Sequence, residues 1–202
     1  MPLLPAPIRL CADCLRTDAK NLPAPAACWA AVDYSGPWRT LVQRWKLGQQ
    51  PALAQAAAQL MVAQLPWNEI LAGVDALVPI PASPQSLRER GFQPTLGLAR
   101  ALSSHLTPSL GALPPMWPQA LLRLPERDAL HQALRGRQAR LRAMQGAFIV
   151  PPAALPQIQG RKLLLLDDVM TTGATLSSAA QALHQAGAAQ VQAVVLARTP
   201  RA

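Results

Sequence analysis

The 202-residue sequence has little negative charge, few cysteines and no long apolar run. Its 10 acidic residues stand against 19 Lys and Arg, which gives a formal charge of +9. This excess of basic residues favours anionic partners such as phosphates, nucleic acids or an acidic membrane surface. Charged residues make up only 14% of a chain that is 50% hydrophobic. That composition excludes a disordered basic tail and predicts one folded domain, with at most a small appendage, that carries a basic face.

The apolar runs are only a few residues long, as at 163–166, whereas a membrane-spanning helix needs roughly 18 to 20 residues. The opening residues MPLLPAPIRLCADC place no basic segment before their apolar residues, so they do not resemble a signal peptide. We therefore expect a cytoplasmic protein without a transmembrane segment.

The three cysteines, Cys11, Cys14 and Cys28, lie at the start of the chain. An odd number of closely spaced cysteines does not form a disulfide framework, and a CxxC pair in a reducing compartment suggests a metal or redox role. Because the composition changes after these cysteines, residues 1–28 are interpreted as a short, degenerate zinc-finger-like segment and residues 29–202 as the main domain.

Hydrophobic spacing predicts alternating strands and helices along the main domain. Residues 107–122 are expected to be irregular. Before them the pattern predicts strands at 30–34 and 75–80. It also predicts one helix that begins at 36–37 and two further helices at 52–65 and 96–106. A polar basic loop is expected at 81–92.

The C-terminal third has the clearest pattern. A short apolar run at 162–166 predicts a buried strand, residues 175–186 predict an amphipathic helix that ends before Gly187, and 191–196 predict a second buried strand. Strand, helix and strand within about 35 residues form a βαβ unit, so the fold class is α/β with a parallel sheet and a right-handed crossover.

The junction between that strand and helix reads LLLLDDVMTTGAT at 163–175. Asp167 and Asp168 fall at the carboxyl end of a parallel strand, where open α/β sheets bind ligands. The residues that follow are small and able to close around a phosphate at a helix N-terminus: Thr171, Thr172, Gly173, Ala174 and Thr175. A ligand with one phosphate and vicinal hydroxyls is a ribose 5-phosphate. The alternative to ligand binding is that the two acids form a solvated helix cap with a purely structural role.

LLLLDDVMTTGAT resembles the phosphoribosyl pyrophosphate (PRPP) motif of type I phosphoribosyltransferases. The resemblance implies that Asp167 and Asp168 bind the ribose hydroxyls, that the loop from Thr171 to Thr175 holds the 5-phosphate, and that Mg²⁺ lies near the two acids on the ligand.

Further motifs resemble the competence protein F (ComF) branch of that family: DALVPIPASPQSLRERGF at 75–92, GAF at 146–148, YSGP at 34–37 with Lys46 beyond it, and the CADC at the start. In the parent fold the loop after the first core strand holds pyrophosphate, which here implies Ile80, Pro81, Ala82 and Ser83. Arg88 and Arg90 are suited to bidentate phosphate contacts, although an exposed basic turn is the alternative. Lys46 is equally compatible with a solvated side chain.

ComF-like proteins often begin with a zinc site made of two CxxC pairs. Here Cys11 and Cys14 form one pair, whereas Ala31 stands where the partner of Cys28 would be. A zinc ion held by Cys11, Cys14 and Cys28 with a fourth ligand of another kind is one interpretation. A degenerate finger with ordinary small residues is the other.

Six arginines follow in the most basic stretch of the chain: Arg123, Arg127, Arg135, Arg137, Arg140 and Arg142. They suit a nucleic-acid backbone or a solvated helix face, and Trp38 and Trp45 suit either base stacking or the core. The resemblance implies a PRPP-binding protein of natural competence whose partners are single-stranded DNA and competence-machinery proteins. Two alternatives stay open, namely an active transferase acting on an unidentified nitrogen nucleophile and a basic nucleic-acid adaptor with a relic site.

Overall fold

The computed structural model describes residues 8–11, 24–47, 50–124 and 146–200, with only the backbone described for 8–11 and 47. In chain order the elements are β1 (Ile8–Cys11), β2 (Ala27–Asp33), α1 (Gly36–Leu47), α2 (Leu53–Gln64), α3 (Trp67–Ile70), β3 (Ala76–Pro79), α4 (Pro84–Arg90), α5 (Pro94–Leu110), β4 (Leu122–Arg123), β5 (Phe148–Ile149), a 3₁₀ turn (Pro152–Ala154), α6 (Leu155–Ile158), β6 (Lys162–Met170), α7 (Ala174–Gln185) and β7 (Gln190–Arg198).

The main sheet has the strand order β1-β2-β7-β6-β3. The strands β2, β7, β6 and β3 pair in parallel, and β1 pairs antiparallel with β2 at one edge. This arrangement confirms the predicted α/β class with a parallel sheet. The boundary predicted between residues 28 and 29 falls inside β2, and the N-terminal segment contributes β1 to the sheet of the main domain.

The predicted βαβ unit is confirmed as β6, α7 and β7, but β6 is longer than the apolar run at 162–166. It continues through both acids to Met170 because its backbone keeps pairing with β7, where Asp167 lies opposite Val195 and Met170 opposite Arg198. Pairing with a neighbouring strand overrides the low strand propensity of aspartate.

Helices cover both faces of the sheet. Leu163 and Leu165 of β6 pack in one buried cluster with α7, and the alternate residues Leu164 and Leu166 pack in a second cluster with α1, α2 and α5. Successive side chains of a strand point to opposite faces, so an all-apolar run is what a strand covered on both faces requires.

The N-terminal part of α1 confirms the predicted helix from Gly36 onward. Val42 and Trp45 are each 1% exposed in the core, and Trp38 packs against the same cluster. The two tryptophans therefore fit the core interpretation rather than an exposed stacking surface.

The segment predicted as a basic loop contains helix α4, so that prediction was wrong. The Ser83 hydroxyl accepts a hydrogen bond from the Ser86 amide at 3.0 Å, Pro84 occupies the first turn, and Gly91 ends the helix with φ 74°. These are ordinary start and stop signals of a helix. Within the described ranges, no helix combines the length and the apolar character needed to cross a membrane.

Candidate functional site

A cavity of about 310 Å³ opens at the carboxyl edge of the parallel sheet. Its walls come from β6, from the segment that follows β3, and from α1, α4, α5, β4 and α7. Carboxyl ends of neighbouring parallel strands meet at one edge, and open α/β sheets bind ligands there. The sequence prediction placed the acids, the phosphate loop and the basic residues at this edge, and the structure brings members of all three sets to the cavity.

Asp167 and Asp168 line the cavity and are both buried, at 8% and 6% exposure. The Asp167 carboxylate accepts a hydrogen bond from the Asp168 amide at 2.8 Å, and the Asp168 carboxylate accepts one from the Val169 amide at 2.6 Å. These bonds to the backbone of the following residue hold each carboxylate close to its own strand. A solvated helix cap would leave the acids exposed, so the burial of both acids excludes that alternative.

Burial raises the pKa of Asp167 to about 8, and the neighbouring charge of Asp168 acts in the same direction. The ammonium group of Lys46 lowers the pKa of Asp167, but by less. Without a ligand, Asp167 therefore holds its proton over much of the neutral range. A raised pKa caused by burial and a like charge in a cleft is typical of functional sites.

Lys46 also lines the cavity, although the sequence motifs assign it no particular role. Its Nζ lies 2.6 Å from Oδ1 of Asp168, and both side chains line the cavity. Lys46 reaches the acids because Val42 and Trp45 bury one side of α1 against the sheet. The spacing of YSGP and Lys46 was visible in the sequence, but the side chain's partner lies 122 positions further along the chain.

The predicted phosphate loop forms the turn from β6 into α7. Gly173 has φ 77° and precedes the first residue of the helix, and the Ala174 amide donates to the Thr172 hydroxyl at 3.3 Å. Thr175, in the first turn of α7, lines the cavity, whereas Thr171 is exposed beside it. The helix N-terminus presents backbone N–H groups and a partial positive charge, both of which favour a phosphate.

The loop after β3 forms another part of the wall, and all four of its predicted residues line the cavity: Ile80, Pro81, Ala82 and Ser83. The Ile80 amide donates to the Leu166 carbonyl at 2.9 Å, and the Thr95 hydroxyl donates to the Ile80 carbonyl at 2.6 Å. Both backbone groups of Ile80 are thus anchored, which fixes the start of the loop next to the end of β6.

The basic residues divide between the cavity and the surface. Arg90 lines the cavity with its Nη2 3.3 Å from the Ser86 hydroxyl, whereas Arg88 is exposed elsewhere on α4. Arg123, predicted as part of a nucleic-acid surface, also lines the cavity, and its Cζ lies 5.6 Å from the ring centroid of Phe148. The other five arginines of the basic stretch lie outside the described residues.

Cys28 is the member of the predicted zinc site whose side chain the structure describes. It is fully buried in the cluster that packs against α7, and burial raises the pKa of its thiol to about 12. Cys14 and the side chain of Cys11 lie outside the described residues, so the zinc site stays a prediction.

Comparison with known proteins finds a phosphoribosyl transferase domain and relatives named for DNA utilization or competence. A family model described as a phosphoribosyl transferase domain matches residues 130–202. The DNA utilization protein YhgH of Escherichia coli K12 is 29% identical over 171 residues, covering 83% of this chain and 70% of that protein. The protein of the same name from Salmonella typhi is 30% identical over 170 residues with the same coverage. The competence protein ComFC of Streptococcus pneumoniae is 25% identical over 199 residues, covering 93% of this chain and 80% of that protein.

Proposed function

Because the chain belongs to the ComF family of phosphoribosyltransferase-like proteins, we propose that its cavity binds PRPP and that the protein acts in handling single-stranded DNA during natural competence. The observation that carries the first part is the meeting of a buried acid pair, a helix N-terminus and a second anchored loop in one cavity of about 310 Å³.

Each part of PRPP has a chemically suitable partner in the cavity. The carboxylates of Asp167 and Asp168 are acceptors for the ribose hydroxyls. Thr175 and the N-terminus of α7 suit the 5-phosphate. Arg90, with its planar guanidinium, and the backbone after Ile80 suit the pyrophosphate. The presence of all three groups in the lining of one cavity supports a ligand that carries both phosphates and hydroxyls.

The residues also fit a magnesium ion carried on the ligand. Mg²⁺ prefers oxygen ligands and is commonly held by one or two carboxylates together with substrate phosphates, and Asp167 and Asp168 supply carboxylates at the cavity. The ion would neutralise charge on the pyrophosphate oxygens, while Asp167 and Asp168 would orient it through their fixed side chains.

Calorimetric titration of the full chain tests this assignment. We expect PRPP with magnesium to bind at a single site and ribose 5-phosphate, which lacks the pyrophosphate, to bind more weakly. An unrelated phosphate ligand that bound well while PRPP gave no heat would overturn the assignment.

A second candidate is a working transferase. In that reaction the bond between C1 of the ribose and the pyrophosphate oxygen breaks, the oxygen keeps the electron pair, and a nitrogen nucleophile forms the new bond to C1. Arg90 and Arg123 place positive charge along the cavity, where it would stabilise the departing pyrophosphate. No described residue is assigned as a general base. Release of pyrophosphate across a panel of nitrogen bases would support this activity, and no release with any base would favour binding alone.

The proposed link to DNA rests on the net charge of +9 and on relatives named for DNA utilization and competence. Contacts to phosphates give binding that weakens steeply with salt. We expect the full chain to bind single-stranded DNA in a salt-dependent manner, and competence-machinery proteins are the partner class that the family implies. If Asp168→Ala leaves DNA binding unchanged and the wild type binds no PRPP, the protein is a nucleic-acid adaptor with a relic site.

A further inference from the structure

Thr95 joins helix α5 to the loop after β3 through one short hydrogen bond. Its hydroxyl donates to the Ile80 carbonyl at 2.6 Å, across 15 positions of the sequence, and both residues line the cavity. Both are also buried, with Ile80 3% and Thr95 5% exposed. Water has little access to this bond, and a hydrogen bond in poorly solvated surroundings is electrostatically stronger than one in water.

Helix α5 determines where that hydroxyl lies. Thr95 is in the first turn of the helix, directly after Pro94, and the following turns bury Leu98 and Leu102 in the cluster against the sheet. The threonine side chain branches at Cβ, which restricts its χ1 angle. The packing of α5 therefore holds the hydroxyl at a fixed place beside the end of β3.

The Ile80 carbonyl directly precedes the backbone donors of the loop. Pro81 has no N–H group, so the first amides that can meet an anion are those of Ala82 and Ser83. Both residues line the cavity, and within the described part of the chain neither amide donates a hydrogen bond. Successive backbone N–H groups at a concave surface bind phosphate groups, so these two amides suit the pyrophosphate.

The orientation of these amides depends on how the Ile80 peptide is held. A residue that precedes proline is biased toward extended backbone, and the Ile80 amide donates to the Leu166 carbonyl at 2.9 Å. The Thr95 hydroxyl binds the remaining polar group, the carbonyl. It thereby occupies an oxygen whose partial negative charge would otherwise repel an anionic ligand. A buried carbonyl that loses its partner is costly, so removal of the hydroxyl should shift the loop.

We propose that Thr95 is a positioning residue that determines the affinity for the pyrophosphate half of the ligand, because its hydroxyl holds the loop after β3 in the arrangement that meets the pyrophosphate. The inference rests on the proposed function, since it names the residue by which that same site distinguishes a ligand with a pyrophosphate from one with a 5-phosphate alone. The proposed 5-phosphate site belongs to another element, α7, so the two halves of the ligand should respond differently to a change at Thr95.

The test is calorimetric titration of the full chain in saturating magnesium with PRPP, inorganic pyrophosphate and ribose 5-phosphate. Thr95→Val keeps the branched shape and removes the hydroxyl. We expect it to lower the affinities for PRPP and pyrophosphate by about tenfold, the size of one lost hydrogen bond, and to leave that for ribose 5-phosphate within about twofold. Thr95→Ser keeps a hydroxyl and should bind PRPP within about threefold of the wild type.

Thr107→Val is the matched control. Thr107 lies near the other end of α5, and its hydroxyl also donates to a backbone carbonyl, that of Ser103, at 2.7 Å. Thr107 is exposed and does not line the cavity, so its variant should leave all three affinities unchanged. Thermal melts check that each variant is folded, and Thr95→Ala replaces Thr95→Val if the valine variant is not.

The outcomes separate the inference from the proposed function. If Thr95→Val weakens PRPP and ribose 5-phosphate equally, or leaves the PRPP affinity unchanged, the role of Thr95 is overturned and PRPP binding stands. A wild type that binds pyrophosphate but not PRPP overturns the proposed function, and the pyrophosphate titrations of the variants then decide the role of Thr95. A wild type that binds none of the three ligands overturns both.

Discussion

The two ends of β6 both pair an acid with a basic residue, but they do so in opposite environments. At the amino end, Asp75 accepts a hydrogen bond from the Lys162 amide at 2.8 Å and one from Arg161 Nη1 at 3.2 Å, with the Asp75 and Arg161 side chains 34% and 53% exposed. At the carboxyl end, Asp168 contacts Lys46 at 2.6 Å inside a cavity, next to the buried Asp167.

The pKa values of the acids show the difference. The backbone hydrogen bond from Lys162 is the main cause that lowers the pKa of Asp75, and Arg161 adds to it. Burial instead raises the pKa of Asp167. The amino end is therefore a satisfied surface junction, whereas the carboxyl end holds a buried acid pair in the wall of a cavity. Asp75 immediately precedes β3, the parallel neighbour of β6, so acids from two adjacent strands lie at opposite edges of the sheet.

The largest expected effect is on ligand binding. Asp168→Ala removes the carboxylate that faces the cavity and leaves Lys46 without its partner, so we expect PRPP affinity to fall by about a hundredfold or more, equivalent to about 2.7 kcal/mol. Asp75→Ala removes an acid of the same type that precedes β3 and contacts the amino end of β6, and it should leave the affinity unchanged. Calorimetry on both variants measures the contrast, and an equal loss in the two would show that Asp168 acts only through stability.

Local sequence was sufficient where one segment determines its own structure. The apolar run, the acids and the TTGAT turn predict β6 and α7 because a continuous apolar stretch, a glycine at the turn and an amphipathic helix face follow one another within a short window. Helix α4 is not predicted from the sequence because its many polar side chains are typical of a loop. The Ser83-Pro84 start and the Gly91 end were the signals that could have identified it.

Within the site, residues of contiguous motifs could be singled out from the sequence, and the structure brings several of them together. Asp167, Asp168, Thr175 and Arg90 all line the cavity, while their binding roles stay predictions. Lys46 and Arg123 could not be assigned, because their roles depend on how α1 and β4 pack around the sheet. Arg123 was grouped with its basic neighbours in sequence, whereas the structure places it over Phe148 in the cavity wall.

The pH dependence of stability should have opposite signs at the two ends. The folded-state pKa of Asp167 is raised to about 8 from 3.8, so its contribution to stability is fully present below about pH 4 and is lost as the pH rises toward 8. Where the folded state holds the extra proton, the free energy of unfolding falls by up to about 1.4 kcal/mol per pH unit, which lowers Tm by roughly 3 to 6 °C. The pKa of Asp75 is lowered, so its contribution is present above the unfolded-state pKa and is lost in acid.

Thermal melts of the ligand-free protein between pH 5 and 8 check the first slope. Asp167→Asn should flatten it, and Asp75→Asn should flatten only the loss in acid. The melts stop at pH 8 because stability should fall further in stronger alkali for a separate reason, namely the pKa of the buried Cys28 thiol, which is raised to about 12. An unchanged slope in Asp167→Asn would contradict the raised pKa of that carboxyl.

Alanine substitution of two glycines with positive φ should have a smaller effect on PRPP affinity. The two positions form a matched pair, because both have similar φ angles and lie near opposite ends of β6. Gly173 (φ 77°) precedes α7 at the carboxyl end, and Gly73 (φ 69°) lies beside the Lys162 side chain at the amino end. Alanine at either position strains the backbone by about 1 kcal/mol. We expect similar falls in Tm for Gly173→Ala and Gly73→Ala, but a loss of PRPP affinity of about tenfold only for Gly173→Ala, because relaxing that turn rotates the amides at the start of α7. Equal affinities would show that those amides do not hold the phosphate.

The smallest effect is expected at the exposed pair itself. Arg161→Ala removes the guanidinium from Asp75 but leaves the Lys162 amide, which is the larger cause of the lowered pKa of Asp75. We therefore expect the Tm to fall by no more than about 2 °C in dilute buffer and the difference from the wild type to vanish in concentrated salt, because water and ions screen exposed pairs. Melts of both proteins at low and high salt measure this.

The Lys46 and Asp168 side chains are largely shielded from solvent. PRPP binding that persists in the same high salt would therefore show that buried charges at the carboxyl end of β6 determine the affinity. A Tm difference for Arg161→Ala that survived high salt would instead mean that the amino end, too, depends on a desolvated ion pair.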